Sequence, residues 1–332
     1  MIYVYCRRAS NGAAALAKEL GAQRIRQFDG MNLIRKGKKL SLSDGDVVIC
    51  WGDQLPEDVA KGKQVRFLNN IKPEMLKAAS DKYAAAQLLL NAGVPTIDIY
   101  PRDYFGPVNT ASIKQLKSEG YLPRAKDHVG GFDLLDPNTK PDYWVKKDEF
   151  VAEFRIHSFG GKGIRAGKKM LREGYSLDGA NGTKKAHPWV RSYDGGWYCC
   201  YDGFKSVAAQ RTIAHKAVEA LGLTFGAVDI AQRKDGKYVV LEVNRAPGIE
   251  GNSIRTYTEV IKRWIDGDTG VRAEDGEPKG AVVDVPKKSV PPAPTKTTAK
   301  YVAAPSAAAP RVAAVCDTGQ FIREYYTINI AA

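Results

Sequence analysis

Three oxygen-bearing side chains, Asp229, Glu242 and Asn244, have the types and the spacing to hold a divalent cation. Glu242 and Asn244 stand two residues apart at the end of the apolar run YVVLEVN, so in a strand they share one face. Asp229 belongs to the preceding run TFGAVDIAQ, and the Asp235-Gly236 pair between the two runs signals a two-residue hairpin turn. A tight turn there sets Lys234 against Lys237 and, counting back, Asp229 against Glu242. Facing carboxylates repel unless something compensates them. Two carboxylates and an amide suit a hard ion such as magnesium, which keeps water and substrate phosphates beside one or two carboxylates. The plain alternative is a solvated sheet face that places three polar residues by alternation. Val239, Val240, Leu241 and Val243 argue against it, because they read as a strand buried on both faces.

Arg155 lies in the run FVAEFRIHSF, where alternation puts it on one face with Glu153 and His157. A guanidinium inside an apolar strand needs an anion, and the two choices are a substrate group or Glu153. Arg245 follows Asn244 directly, and Arg255 opens the closing helix. Either could hold a phosphate or an acceptor carboxylate, and Arg245 is the better placed.

These residues need elements to position them. The order is mixed: strand IYVYC, helix NGAAALAKELG, strand DVVICWG, then a helix from about Ser80 to Asn91 stopped by Gly93 and Pro95. Strands are expected in GYLPRAKDH, YWVKKD, FVAEFRIHSF and KGIRAGKKML, with a further hairpin WVRSY-DGG-WYCCY. A helix from about Val207 to Leu221 precedes the hairpin that carries the acids, and SIRTYTEVIKRWIDG closes the folded part. The class is α/β shading into α+β. The chain has 332 residues, 44% hydrophobic and 26% charged, enough for more than one domain. No stretch of 18 uncharged apolar residues is present, which excludes an ordinary membrane span and makes a cytoplasmic location the expectation. Five cysteines without a C-x-x-C spacing, and four histidines, point to reduced thiols and not to structural zinc. The formal charge of +13 invites anionic partners. Its basic residues are spread along the chain with no dense run or aromatic-basic repeat, so nucleic acid is disfavoured against nucleotides and phosphates.

The segment AVEALGLTFGAVDIAQRKDGKYVVLEVNRAPGIEGNS resembles the C-terminal core of ATP-grasp enzymes. It is most similar to the subgroup of glutathione synthetase, D-alanine–D-alanine ligase and the ligases that add glutamate to a ribosomal protein. NNIKPEMLKAASDKYAAAQLLLNAGVPT resembles the entry to the ATP-binding region, YLPRAKDHVGGFDL the flexible lid, and YWVKKDEFVAEFRIHSFGGKGI the strands lining the adenine pocket. The resemblance covers roughly 75–267. It implies an ATP-grasp fold: a small N-terminal α/β domain (1–75), a helical entry and lid subdomain (76–149) and a C-terminal ATP- and magnesium-binding sheet (150–268). A Pro/Ala/Lys-rich linker (269–311) and a short docking segment (312–332) follow, the latter binding a partner or the enzyme itself.

By the same resemblance Asp229, Glu242 and Asn244 hold magnesium, with manganese as the other candidate, on ATP. Lys126 and Arg124 would grip phosphates from the lid, and Lys147 and Glu149 would lie at the adenine hinge. Asn244 would also face the nucleotide, and Arg155 and Arg245 would take catalytic roles. The lid loop VGG is shorter than the family's glycine pattern, and the hinge VKKDEF offers no clear ribose-binding acid. The implied activity is an ATP-dependent carboxylate–amine ligase working through an acyl-phosphate on small-molecule, peptide or protein substrates. The alternatives are a phosphotransferase-like or a non-catalytic ATP-binding relative. A homo-oligomer is compatible with the sequence.

Overall fold

The structure, a computed structural model, describes residues 1–7, 9–29, 32–35, 37–126 and 140–268. The lid glycines Gly130 and Gly131 and the segments 269–311 and 312–332 lie outside the described residues.

Two apolar runs start the first sheet. β1 (Ile2–Tyr5) leads into α1 (Asn11–Glu19), whose N-cap Ser10 accepts from the Ala13 amide at 3.2 Å, and then into β2 (Gln23–Ile25). A small antiparallel sheet of β3 (Gln27–Asp29), β4 (Asn32–Arg35) and β5 (Lys38–Leu40) intervenes before β6 (Val47–Cys50) and β7 (Arg66–Leu68). The parallel sheet runs β2-β1-β6-β7. All four residues of β6 are buried, as parallel strands covered on both faces require.

The helix expected from about Ser80 to Asn91 is α3 (Lys82–Asn91), and a helix that was not expected, α2 (Pro73–Ser80), precedes it. Asp81 separates the two. Its backbone is extended, and its carboxylate accepts from the amides of Tyr83 (2.9 Å) and Ala84 (3.1 Å), so it ends one helix and caps the next. Three strands, β8 (Ile99–Pro101), β9 (Tyr121–Arg124) and β10 (Tyr143–Lys146), form an antiparallel sheet in the order β8-β10-β9. Between β8 and β9 lies α4 (Thr110–Ser118), fixed by a capping box of Asn109 and Ser112.

The largest sheet carries the candidate residues. β11 (Phe150–Phe159) and β12 (Lys162–Leu171) form a hairpin across Gly160-Gly161. The two-residue strands β13 (Tyr175–Ser176) and β14 (Lys184–Lys185) follow, and then β15 (Trp197–Cys200). After α5 (Ala208–Ala220) come β16 (Phe225–Arg233), β17 (Tyr238–Asn244) and α6 (Asn252–Ile265). The strand order is β15-β12-β11-β16-β17, antiparallel throughout. The expected WVRSY–WYCCY hairpin is corrected here: WYCC pairs with β12, and WVRSY forms no strand.

One face of this sheet buries Phe154, Ile156, Val228, Ile230 and Val240 against Ala214, Ala217 and Val218 of α5. A second core gathers Val4, Ile49, Trp51, Phe225, Tyr257 and Val260, joining the parallel sheet to β16 and α6. Asn69 fixes that junction: at φ 61 its side-chain oxygen accepts from the amides of Thr224 and Phe225. Among the described residues no helix is long and apolar enough to cross a membrane.

Candidate functional site

The hairpin that carries the acids is not the two-residue turn expected. The Arg233 amide donates to Lys237 O and the Gly236 amide to Arg233 O, with Gly236 at φ 84. The loop is therefore Lys234–Gly236, a three-residue turn with glycine in the left-handed position. Lys234 does not face Lys237, and the first pairs are Gln232↔Tyr238, Ala231↔Val239 and Ile230↔Val240. This register alone would set Asp229 against Leu241. A bulge at Leu241 takes up one residue, and beyond it Asp229↔Glu242, Val228↔Val243 and Ala227↔Asn244 are paired. The carboxylates face each other because two offsets cancel.

On its other side Asp229 is paired with Arg155 of β11. The guanidinium Nε and one terminal nitrogen each donate to an Asp229 carboxylate oxygen at 2.6 Å, a bidentate fork in which the side chains are 23% and 14% exposed. Burial alone would raise the Asp229 pKa. Arg155 outweighs it and holds the carboxyl below its ordinary value, while Asp229 raises that of Arg155. The anion that Arg155 meets in this structure is Asp229 and not Glu153, which pairs with Arg191.

Glu242, nearer the open side, accepts from Lys82 Nζ at 2.9 Å and from Asn244 Nδ2 at 3.1 Å. Lys82, the first residue of α3, is not among the expected site residues; it lies in the segment that resembles the entry to the ATP-binding region. Its position beside the capping Asp81 was the available signal. Arg155 and Lys82 together supply the two positive charges that a divalent ion would bring.

The same face continues along β11. Glu153 is buried and pairs with Arg191 at 3.4 Å; burial pushes its carboxyl up to about 7, Arg191 pulls it down, and Asp229 and Glu242 push it further up. His157 is fully buried between Tyr257 Oη (3.1 Å) and Tyr201 Oη (2.9 Å). Burial, with Arg155 and Arg165 nearby, lowers its pKa to about 3, so the imidazole is neutral and serves the packing of this network.

The remaining expected residues sit elsewhere. Arg245 Nε donates to Gly52 O at 2.7 Å and its NH1 to Ala79 O at 3.3 Å, so the residue after Asn244 ties the loop to the parallel sheet and to α2. Gly52 has φ 82, and a Cβ there would lie 2.5 Å from Ala246 Cβ, which makes this a backbone-to-backbone seam. Arg124 lies in β9, in a different sheet from Asp229, and the Lys126 amide donates to Asp142 Oδ2 at 2.9 Å. At the hinge, Lys147 Nζ sits 3.7 Å above the Trp189 ring, and Glu149 pairs with Lys234. Asp148 pairs with Arg233.

The donor set fits a divalent cation in type, with two carboxylates and an amide on one sheet face. Among the described residues no group of three or more His, Cys, Asp or Glu forms a metal cage, so any ion here takes other ligands from water or a bound anion.

No protein-family model matches this sequence. Over 70 residues it is 41% identical to the probable alpha-L-glutamate ligase 1 of Shewanella sp. (strain ANA-3), and equally so to that of Shewanella baltica. The match spans 20% of this chain and 23% of those curated relatives. Among solved structures, the ATP-grasp ligase PsnB complexed with a phosphomimetic variant of its minimal precursor, Mg and ADP superposes with TM-score 0.52. It is 13% identical over 81% of this chain and 98% of that one. D-alanine–D-alanine ligase from Bacillus anthracis gives TM-score 0.52 at 14% identity, covering 83% of this chain and 94% of the other. D-alanyl-alanine synthetase A from Vibrio cholerae gives 0.52 at 14%, covering 81% and 98%. The chain has the ATP-grasp fold.

Proposed function

We propose that this ATP-grasp chain is an ATP-dependent carboxylate–amine ligase that activates a carboxylate as an acyl-phosphate and joins it to an amine of an amino acid, peptide or protein. The observation that carries the reading is the register Asp229↔Glu242, with Asn244 next on the same face. Asp229, Glu242 and Asn244 would hold magnesium, or manganese in its place. When bound, the ion offsets the phosphate charge of ATP, whose terminal phosphoryl group makes the carboxylate reactive.

The chain's own cations then change partners. With an ion held by Asp229 and Glu242, Arg155 and Lys82 would give up the carboxylate oxygens they now hold. Lys82 would then offer its charge to a phosphate oxygen. Arg155 would turn to the carboxylate being activated and stabilise the charge that develops there. Arg245 acts as a positioning residue, since it fixes the loop after Asn244 on Gly52 and Ala79. Arg124 and Lys126 we assign to the lid of the 76–149 subdomain, and Lys147 and Glu149 to the hinge, each needing to leave or share its present partner. The lid would exclude water from the acyl-phosphate.

One observation favours the second reading, a nucleotide-binding relative without ligase activity: both Asp229 oxygens are engaged by Arg155. The experiment incubates pure protein with Mg-ATP and pooled amines and carboxylates, follows ADP and product masses, and uses Glu242→Ala as control. Substrate-dependent ADP with a mass gain equal to an amide, lost in the control, supports the ligase. Tight ATP binding with no substrate-dependent ADP would overturn it in favour of the second reading.

A further inference from the structure

β12 brings a further arginine to the sheet face that carries Asp229 and Arg155. Arg165 stands opposite His157, and Gly167 opposite Arg155, so alternation puts Arg165 on the face of the Arg155–Asp229 fork. Its setting differs from that of Arg155. The Arg165 guanidinium carbon lies 4.5 Å from the centroid of the Tyr201 ring, and its Nε is buried without a hydrogen-bond partner. Among the described residues no ion pair holds it, and Asp202 acts on it only through space. Burial lowers the Arg165 pKa against the pull of Tyr201, Asp202 and Cys199, whereas Asp229 raises that of Arg155.

The sequence builds this position with a glycine. Gly167 follows Arg165 by two, and a Cβ there would lie 2.6 Å from Cys199 Sγ and 2.8 Å from Tyr201 Cδ1. The missing side chain lets the Tyr201 ring lie over β12, where it supports the Arg165 guanidinium. The ring is fixed in turn, because its hydroxyl meets His157 Nε2 at 2.9 Å and His157 Nδ1 meets Tyr257 Oη of α6 at 3.1 Å. His157 itself is fully buried. A partly desolvated guanidinium is thus oriented by a ring and a buried network instead of by a carboxylate. Its planar fork matches an oxyanion, which would offset the cost of burial.

Position on the sheet narrows the ligand. β12 lies on the far side of β11 from β16, so Arg165 is two strands, roughly 10 Å, from Asp229. Phosphates held by an ion on Asp229 and Glu242 would lie nearer Arg155. Arg155 and Arg165 are diagonal neighbours, about 7–8 Å apart at the backbone, a span that one small substrate carrying two anionic groups can bridge.

We propose that Arg165 is a specificity-determining residue that binds a carboxylate of the substrate which does not itself react. The identity of the reacting carboxylate rests on the ligase reading. The carboxylate on Arg165 belongs to the acid being activated or to the amine that receives it, and two arms of one experiment separate these sources.

The test compares wild type with Arg165→Met, which keeps the bulk and removes the charge, and with Arg165→Lys, which keeps the charge and removes the fork. Urea denaturation checks that each is folded. ADP release is followed with Mg-ATP. Glutarate against butyrate, each with hydroxylamine, asks whether the carboxylate is the acid's. Glycine against glycinamide, each with pooled carboxylic acids, asks whether it is the amine's. In one arm wild type is expected to favour the compound with the extra carboxylate at least tenfold in kcat/KM. Arg165→Met should raise KM for that compound at least tenfold and leave its neutral analogue within twofold, and Arg165→Lys should lose less. No preference in either arm, or an equal loss on charged and neutral compounds in Arg165→Met, would overturn the proposal and leave Arg165 as a packing group on Tyr201. No ADP release with any compound would sink the ligase reading instead. Calorimetry with the same four compounds and a non-hydrolysable ATP analogue then decides the subsite alone: an Arg165-dependent preference for the charged member of a pair upholds it, and equal binding overturns it.

Discussion

On the face of the five-stranded sheet Arg155, Lys82 and Arg191 each meet a carboxylate, at 2.6, 2.9 and 3.4 Å. Along β2, Arg7, Arg24, Arg26 and Arg35 line one pocket. Both regions concentrate charge, and they treat it differently. On the sheet face the protein carries its own counterions, so a bound cation must displace side chains that already satisfy the carboxylates. In the pocket Arg24 is fixed by the backbone, donating to Cys6 O and Ile25 O, both at 2.8 Å, and the Arg7 amide donates to Asp53 Oδ2 at 2.7 Å. Pairing with carboxylates makes the first region part of the folding energetics.

The sharpest way to break that contrast is to remove one partner from each region. Asp229→Ala leaves the Arg155 guanidinium, 23% exposed, without its fork. The expected cost is about 3–5 kcal/mol in unfolding free energy, measured by urea denaturation. Arg155→Leu/Asp229→Leu should recover part of it, because both charges leave together. Substrate-dependent ADP release should fall at least 100-fold in Asp229→Ala. Arg35→Gln, from the pocket, should change stability by no more than about 0.5 kcal/mol. Comparable costs in the two regions would erase the distinction.

Glu153 gives the next largest effect, and its sign is fixed by its raised pKa. Burial lifts it from 4.5 to about 7, so the folded state prefers the protonated carboxyl. The stability this contributes is fully present below pH 4.5 and is lost as pH rises through about 7. Between pH 4.5 and 8 the wild type should lose roughly 3 kcal/mol relative to Glu153→Gln, whose profile lacks this step. A parallel pair of profiles would mean that Arg191 holds Glu153 ionised throughout.

Gly52 tests whether the two regions communicate. Alanine there meets a φ of 82 and Ala246 Cβ at 2.5 Å. It should cost about 2 kcal/mol and loosen the loop held by Arg245. If the seam sets the loop that carries Asn244, Gly52→Ala lowers kcat for substrate-dependent ADP release. An unchanged kcat would make the seam merely structural.

How much of this could be read beforehand differs between the regions for a physical reason. The runs IYVYC, VVIC, FVAEFRIHSF, KGIRAGKKML and YVVLEVN are long and apolar enough for the pattern to set the strand, and all five lie in strands. The three-residue strands β2, β3 and β5 have too few residues for any period, and the pocket lies along β2, β4 and the end of β1. At the hairpin, the facing of Asp229 and Glu242 was legible, but its route through a three-residue turn and a bulge at Leu241 was not, because a bulge leaves no period in the sequence. Arg155 was legible as an arginine in need of an anion. Its choice of Asp229 depends on strand order, which a hairpin signal does not contain. The helix from about Ser80, on whose first turn Lys82 lies, was legible; the short helix before it, ended by the extended backbone of Asp81, was not.

Ionic strength produces the smallest effect and separates the regions most cleanly. The screening length shortens from about 30 Å at 0.01 M to about 8 Å at 0.15 M, and it acts on exposed charges much more than on a bidentate buried pair. The cost of removing Asp229 should therefore be the same at both salt concentrations to within a few tenths of a kcal/mol. Repulsion among Arg7, Arg26 and Arg35 is screened, so wild-type stability should rise by a few tenths of a kcal/mol with salt and rise less in Arg26→Gln/Arg35→Gln.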